Sequence, residues 1–246
     1  MRLTREKAAG VVRWFGLSGG RRRLDGDFTV VSPHLDDAVL SLGAAISAAR
    51  GRATVLTVLA GDVDSQASAG HWDRGAGFES AGEAARARRA EDARACAVLG
   101  AEPRWLPYSD DQYDRGGDDD EIRAAVQAAV GDGAVLIPGF PLLHPDHRWL
   151  RQLLDGVFEP ERTVVYAEEP YAALFSERPG DPQDAPGVPP PERWGPLAAG
   201  VRDQRRKLAA CRAYKSQLAL LGSVLIPILR YELRLGGESA AWLDGT

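Results

Sequence analysis

Two short stretches of this chain combine residue types that do chemistry. The first is Ser32-Pro33-His34-Leu35-Asp36-Asp37 and the second is Leu143-His144-Pro145-Asp146-His147. Together they hold three of only four histidines. One carboxylate at a helix start is an ordinary N-cap, because it accepts free backbone N–H groups there. Two adjacent carboxylates repel each other unless a cation or a proton lies between them. A divalent metal would relieve that repulsion, taking His34 and one aspartate as ligands and leaving the other aspartate to act on a water activated by the ion. His144 and His147, three residues apart, can turn two imidazoles toward one point at a loop-to-helix junction. One would suit a metal and the other a developing negative charge.

These stretches need elements to place them. Phe28 to Val31 is an apolar, β-branched run, and Ala38 to about Arg50 has helical spacing, so His34, Asp36 and Asp37 fall in the turn between a strand and a helix. Further strands are expected at Ala53 to Leu59, Arg104 to Leu106, Ala134 to Ile137 and Thr163 to Tyr166. The continuous apolar run of Ala53 to Leu59 suits a parallel strand covered on both faces. Helices are expected at Glu83 to Leu99, from Asp118 to Val130, at Trp149 to Val157 and at about Val201 to Leu221. Arg86, Arg88, Arg89, Glu91, Asp92 and Arg94 read as a mostly solvated helix face with pairs such as Arg88 and Glu91. In such sheets ligands gather beyond the carboxyl ends of the strands. Both histidine stretches, and Ser109 to Tyr113, sit there. Gly61 to Gly82, with His71, Trp72, Asp73 and Phe78, reads equally as a substrate-facing lid or as a loop that Trp72 pins to the body.

The chain of 246 residues is 44% hydrophobic and 26% charged, an ordinary globular composition with room for a large core. No apolar run reaches the roughly 20 residues of a membrane helix. The expected address is the cytoplasm, and Cys96 and Cys211 read as small buried residues. Residues 1–23 hold seven basic side chains and one acid within a total charge of -5, so the remainder is strongly acidic. That argues against a nucleic-acid partner. A solvated arm is the first reading of the basic segment, and peripheral contact with an anionic membrane is the second. We expect one domain over 1–246, with the basic arm at 1–26, a proline-rich excursion at 176–200 and a tail at 201–246.

The two stretches, in this order and at this separation, resemble the paired signatures of the LmbE/PIG-L metal-dependent de-N-acetylases. The resemblance covers roughly Asp27 to Tyr171. It implies a Rossmann-like three-layer α/β fold with a mainly parallel central sheet, loop-rich insertions and a helical C-terminal tail. It also implies zinc, or another divalent metal, on His34, Asp37 and His147, with Asp36 as general base and His144 as oxyanion stabiliser or general acid. Arg88 and Asp110 match positions that family members use toward substrate. With the lid residues Trp72 and Asp73 and the stretch Glu168 to Tyr171, the chain looks most like the actinobacterial branch acting on glycosylated secondary metabolites, including glycopeptide pseudoaglycone deacetylases. The implied reaction removes acetate from an N-acetylglucosamine-type amino sugar on a small glycoside. Alternatives are a related amidase for a thiol conjugate or a longer acyl chain and, in another class, a non-hydrolytic nucleotide-binding module. Leu35 and Ala38 depart from the commoner Pro and Glu, and Tyr214 stands where many relatives have a histidine.

Overall fold

The computed structural model describes residues 21–175 and 188–243, so residues 1–20 of the basic arm lie outside it while Arg21, Arg22 and Arg23 are described. Among the described residues seven strands build one sheet: β1 (Phe28–Ser32), β2 (Ala53–Thr57), β3 (Glu102–Trp105), β4 (Ala134–Phe140), β5 (Thr163–Ala167), β6 (Trp194–Pro196) and β7 (Ser239–Trp242), in the order β3-β2-β1-β4-β5-β7-β6. β1 to β5 run parallel. β7 runs antiparallel to both of its neighbours, β5 and β6.

Period-two alternation along the parallel strands sends side chains into two separate cores. Val30, Val55, Leu136 and Val164 pack on one face with helices α1 (Asp37–Ala48), α3 (Ala81–Leu99) and α7 (Val201–Cys211). Val31, Leu56, Val135, Ile137 and Val165 pack on the other with α4 (Asp119–Ala129) and α5 (Pro145–Leu153). The result is the expected three-layer α/β arrangement. The remaining helices are α2 (His71–Gly75), α6 (Tyr171–Phe175), α8 (Lys215–Leu221) and α9 (Leu225–Leu235).

Several boundaries differ from expectation for identifiable reasons. α5 begins at Pro145 rather than Trp149, because proline suits a first helical position and His144 Nδ1 caps the turn by accepting the Asp146 N–H at 3.2 Å. The excursion at 176–200 is not wholly irregular, since Trp194–Pro196 forms edge strand β6; residues 176–187 lie outside the described residues. The tail continues past Leu221 into α9 and β7. Pro227 is tolerated in α9 because it falls in the first turn, where no helical partner is needed for its nitrogen.

The order places the chemistry. From β1 the chain steps to β2 and β3 on one side, then returns with β4 on the other side of β1. The β1/β4 boundary is therefore the switch point, the crevice where open α/β sheets receive ligands. His34 follows β1, and His144 and His147 follow β4.

Candidate active site

The turn after β1 is fixed by its own polar groups. Ser32 Oγ donates to the His34 carbonyl at 2.6 Å and accepts the Ala38 N–H at 3.1 Å. The His34 N–H donates to Asp37 Oδ2 at 2.8 Å. Asp36 occupies the N-cap position of α1, with its carbonyl accepting from Val39 and Leu40. Its carboxylate is left free of that role and lines the cavity instead.

Three donor atoms converge at the switch point. Asp37 Oδ2 lies 3.2 Å from His34 Nδ1 and 3.1 Å from His147 Nε2, and the two imidazole nitrogens are 3.1 Å apart. A tetrahedral zinc with ligand bonds of about 2.0–2.1 Å requires ligand atoms about 3.3 Å from one another, so this donor set fits the ion. The far edges of both rings are also held. His34 Nε2 is 3.0 Å from Asp146 Oδ2, and His147 Nδ1 is 2.8 Å from Glu168 Oε1. A carboxylate behind each imidazole fixes the ring and the tautomer that leaves the front nitrogen free to ligate.

Two other groupings are less suited to an ion. His144 also lies near His34 and His147, but its Nδ1 is engaged as the α5 cap. Asp111, His144 and Asp146 form a further group. There Asp146 is already committed, Oδ1 to Arg115 Nη2 at 2.8 Å and Oδ2 to His34. Arg115 itself stacks over the Trp149 ring at 4.1 Å.

Burial and neighbouring charge tune these groups. Burial, reinforced by the Asp37 carboxylate, pushes Asp36 up to about 7. Burial lowers His144, and the imidazoles of His34 and His147 lower it further. For His34, burial pulls downward, but its bonds to Asp146 and Asp37 prevail and raise it to about 9. Burial would raise Asp146, yet His34 and Arg115 hold it well below the usual carboxylate range.

A cavity of about 470 Å³ opens beside the cluster. His34, Asp36, Asp37, His144, Tyr171, His71, Trp72, Arg88, Asp110, Asp111 and Gln112 all contribute to its lining. Of the sequence-derived substrate residues, Arg88, Asp110 and Trp72 reach it. Asp73 is placed differently: it is 2% exposed, accepts from Tyr113 Oη at 2.5 Å and lies 2.5 Å from Arg88 Nη2. It belongs to a smaller side chamber shared by Arg88 and Asp110. The Arg88–Asp73 contact is an ion pair without hydrogen-bond alignment, and Arg88 Nε has no partner among the described residues.

Of the charged face expected on α3, Arg86 and Arg94 are exposed as expected, whereas Arg88, Glu91 and Asp92 are buried. Arg88 pairs with Asp73 rather than with Glu91, because Glu91 accepts from the Ser216 N–H and Oγ at 3.0 and 2.6 Å. Asp92 is fully buried and accepts from Tyr214 Oη at 2.6 Å and Trp105 Nε1 at 2.7 Å. Arg115 and Gln217 are the groups to which the sequence assigned no role; Glu168 and Gln112 it gave only as members of the stretches Glu168 to Tyr171 and Ser109 to Tyr113. Only Glu168 carried a usable signal, an acid immediately after a strand end on the functional edge.

Residues 29–158 match the family model PIG-L, GlcNAc-PI de-N-acetylase. No curated protein matches by sequence. Among solved structures, the chain is similar to the A40926 pseudoaglycone deacetylase Dbv21, at 25% identity over 91% of this chain and 97% of that one, with a TM-score of 0.66. It is similar to the zinc-inhibited form of teicoplanin deacetylase Orf2, at 20% identity over 87% and 97%, with a TM-score of 0.66. It also resembles GalB, the 4-carboxy-2-hydroxymuconate hydratase of Pseudomonas putida, at 20% identity over 86% of each chain, with a TM-score of 0.56. The last two speak for the fold alone. A hydratase on that fold means that the reaction must be argued from the site.

Proposed function

The chain belongs to the PIG-L family of de-N-acetylases and is a hydrolase of the N-deacetylase class, and from that premise we propose that it removes acetate from an N-acetylglucosamine-type amino sugar carried on a small glycoside or glycosylated secondary metabolite. The observation that carries the reading is the convergence of His34 Nδ1, Asp37 Oδ2 and His147 Nε2, with Asp36 beside them facing the cavity. These three residues would hold a divalent cation, zinc by the chemistry of the donor set, and when bound it would acidify water and polarise the acetamide carbonyl.

The chain's own groups supply the proton transfers. Asp36, beside the ligand set and facing the cavity, accepts the proton of the attacking water as general base. The oxygen of that water bonds to the amide carbon. His144 meets the charge that develops on the amide oxygen. With Nδ1 accepting the Asp146 N–H, a neutral His144 carries its proton on Nε2, so the ring is a donor there. The C–N bond then breaks, and the amine leaves with a proton from Asp36 or His144. Arg88, Asp110, Asp111 and Gln112 offer charged and hydrogen-bonding partners for sugar hydroxyls. No helix among the described residues is long and apolar enough to cross a membrane. Both cysteines are free and buried, which suits a reducing compartment such as the cytoplasm.

The test is acetate release by zinc-loaded protein from a panel of N-acetylhexosaminyl glycosides, with mass-spectrometric detection of the free amino sugar. Release confined to thiol conjugates, or to N-acyl chains longer than acetyl, would replace this substrate class.

A further inference from the structure

Two segments far apart in sequence meet at the wall of the cavity. Trp72 on α2 and Gln217 on α8 both line it, and Trp72 Nε1 donates to Gln217 Oε1 at 3.0 Å. Each backbone is anchored independently of that bond. On the α2 side, the Trp72 N–H donates to Gln112 Oε1 at 2.6 Å and the Gly70 N–H donates to Tyr113 Oη at 2.6 Å. On the α8 side, Ser216 is clamped twice on Glu91, and Tyr214 is held by Asp92. The bond between Trp72 and Gln217 therefore does not hold the segments in place; it fixes the orientation of the indole. An indole N–H can only donate, so it requires an acceptor oxygen, which Gln217 supplies. Leu221, one turn further along α8, lines the same cavity and extends the apolar surface beside the indole.

We propose that Gln217 is a positioning residue that locks the Trp72 indole across the mouth of the cavity, so that the ring face forms a platform for an aromatic or flat apolar group attached to the amino sugar. A planar partner gains both burial and ring stacking from an immobilised indole, whereas a small alkyl group covers too little of it to benefit. The proposal rests on the deacetylase reading for its position relative to the sugar, and its test separates the two.

The measurement is KM and kcat for the 4-nitrophenyl and methyl glycosides of N-acetylglucosamine, together with calorimetric binding of the same two compounds to metal-free protein. In Gln217→Leu, which keeps the bulk and removes the acceptor, the ratio of aryl to methyl KM rises about three- to tenfold, the range that an aromatic contact commands. The binding ratio moves with it, and the change falls on KM rather than kcat. Gln217→Glu retains an acceptor oxygen and restores the wild-type ratio. An unaltered ratio in Gln217→Leu, or equal losses for both glycosides, overturns the platform. If wild-type protein releases no acetate, the deacetylase reading fails, while the binding ratio still decides the platform.

Discussion

Each imidazole of the cluster is held from behind by a carboxylate, and that gives Glu168 a measurable role. It accepts from His147 Nδ1 and also from the Leu142 N–H, tying the ends of β4 and β5 together. Glu168→Ala is expected to weaken zinc binding about 10- to 100-fold, as loss of such a partner does elsewhere, read by competition against a chromogenic chelator. Asp36→Asn is expected to lower kcat by about 10²- to 10⁴-fold, the range of general-base catalysis, and steady-state acetate release measures it. His34, Asp36, Asp37, His144 and His147 were readable from sequence because two acid–histidine turns recur at strand ends. The partners of Glu168 and Arg115 were not, because a charged residue carries no mark of the side chain it faces across 21 or 31 residues of chain.

At the scale of elements, α3 was read as a solvated helix from its density of charge, and the structure buries its Arg88, Glu91 and Asp92 instead. Glu91 and Asp92 are held by Ser216 and Tyr214 of the tail, from more than a hundred residues away, and Arg88 by Asp73 of α2; neither partnership leaves a local periodicity. The Tyr214 hydroxyl donates to Asp92, and its ring is buried in the core. Burial drives the Asp92 carboxyl up to about 6, against the hydrogen bonds from Tyr214 and Trp105 that pull it down. The folded-state value lies above the unfolded one, so the protonated carboxyl favours the fold. That contribution is fully present below about pH 4 and is lost as the pH rises through about 6. Asp92→Asn cannot ionise, and its stability relative to wild type is expected to rise by about 3 kcal/mol between about pH 4 and pH 7. Urea denaturation at a series of pH values checks this; parallel pH dependence in the two proteins would contradict it.

Across the whole molecule, the strand order that makes β1/β4 a switch point came from the structure, whereas the parallel strands themselves followed from the alternation of apolar strands and helices. The antiparallel edge did not. β6 and β7 are three and four residues long and follow irregular or helical chain, too little for a period-two signal. What fastens this edge to the catalytic half is Lys207, fully buried in α7 and paired with Glu232 of α9 and with Glu238 at 2.7 Å. Glu238 in turn accepts the Ala44 and Ala45 N–H groups of α1, the helix that begins at Asp37. Gly43 permits the approach, since a Cβ there would lie 2.9 Å from Lys207 Cγ. Lys207→Met leaves two buried carboxylates unpaired and is expected to cost about 3–5 kcal/mol at neutral pH, measured by chemical denaturation.

The central claim is that turns from β1 and β4 enclose one divalent ion with Asp36 placed to act beside it. It is tested most directly by calorimetric zinc titration of wild type, His147→Ala and Asp36→Asn, paired with acetate release from an N-acetylglucosaminide. Wild type is expected to bind one tight zinc and turn over, His147→Ala to do neither, and Asp36→Asn to bind one tight zinc without appreciable turnover. Wild-type zinc affinity in His147→Ala, or wild-type turnover in Asp36→Asn, would contradict it.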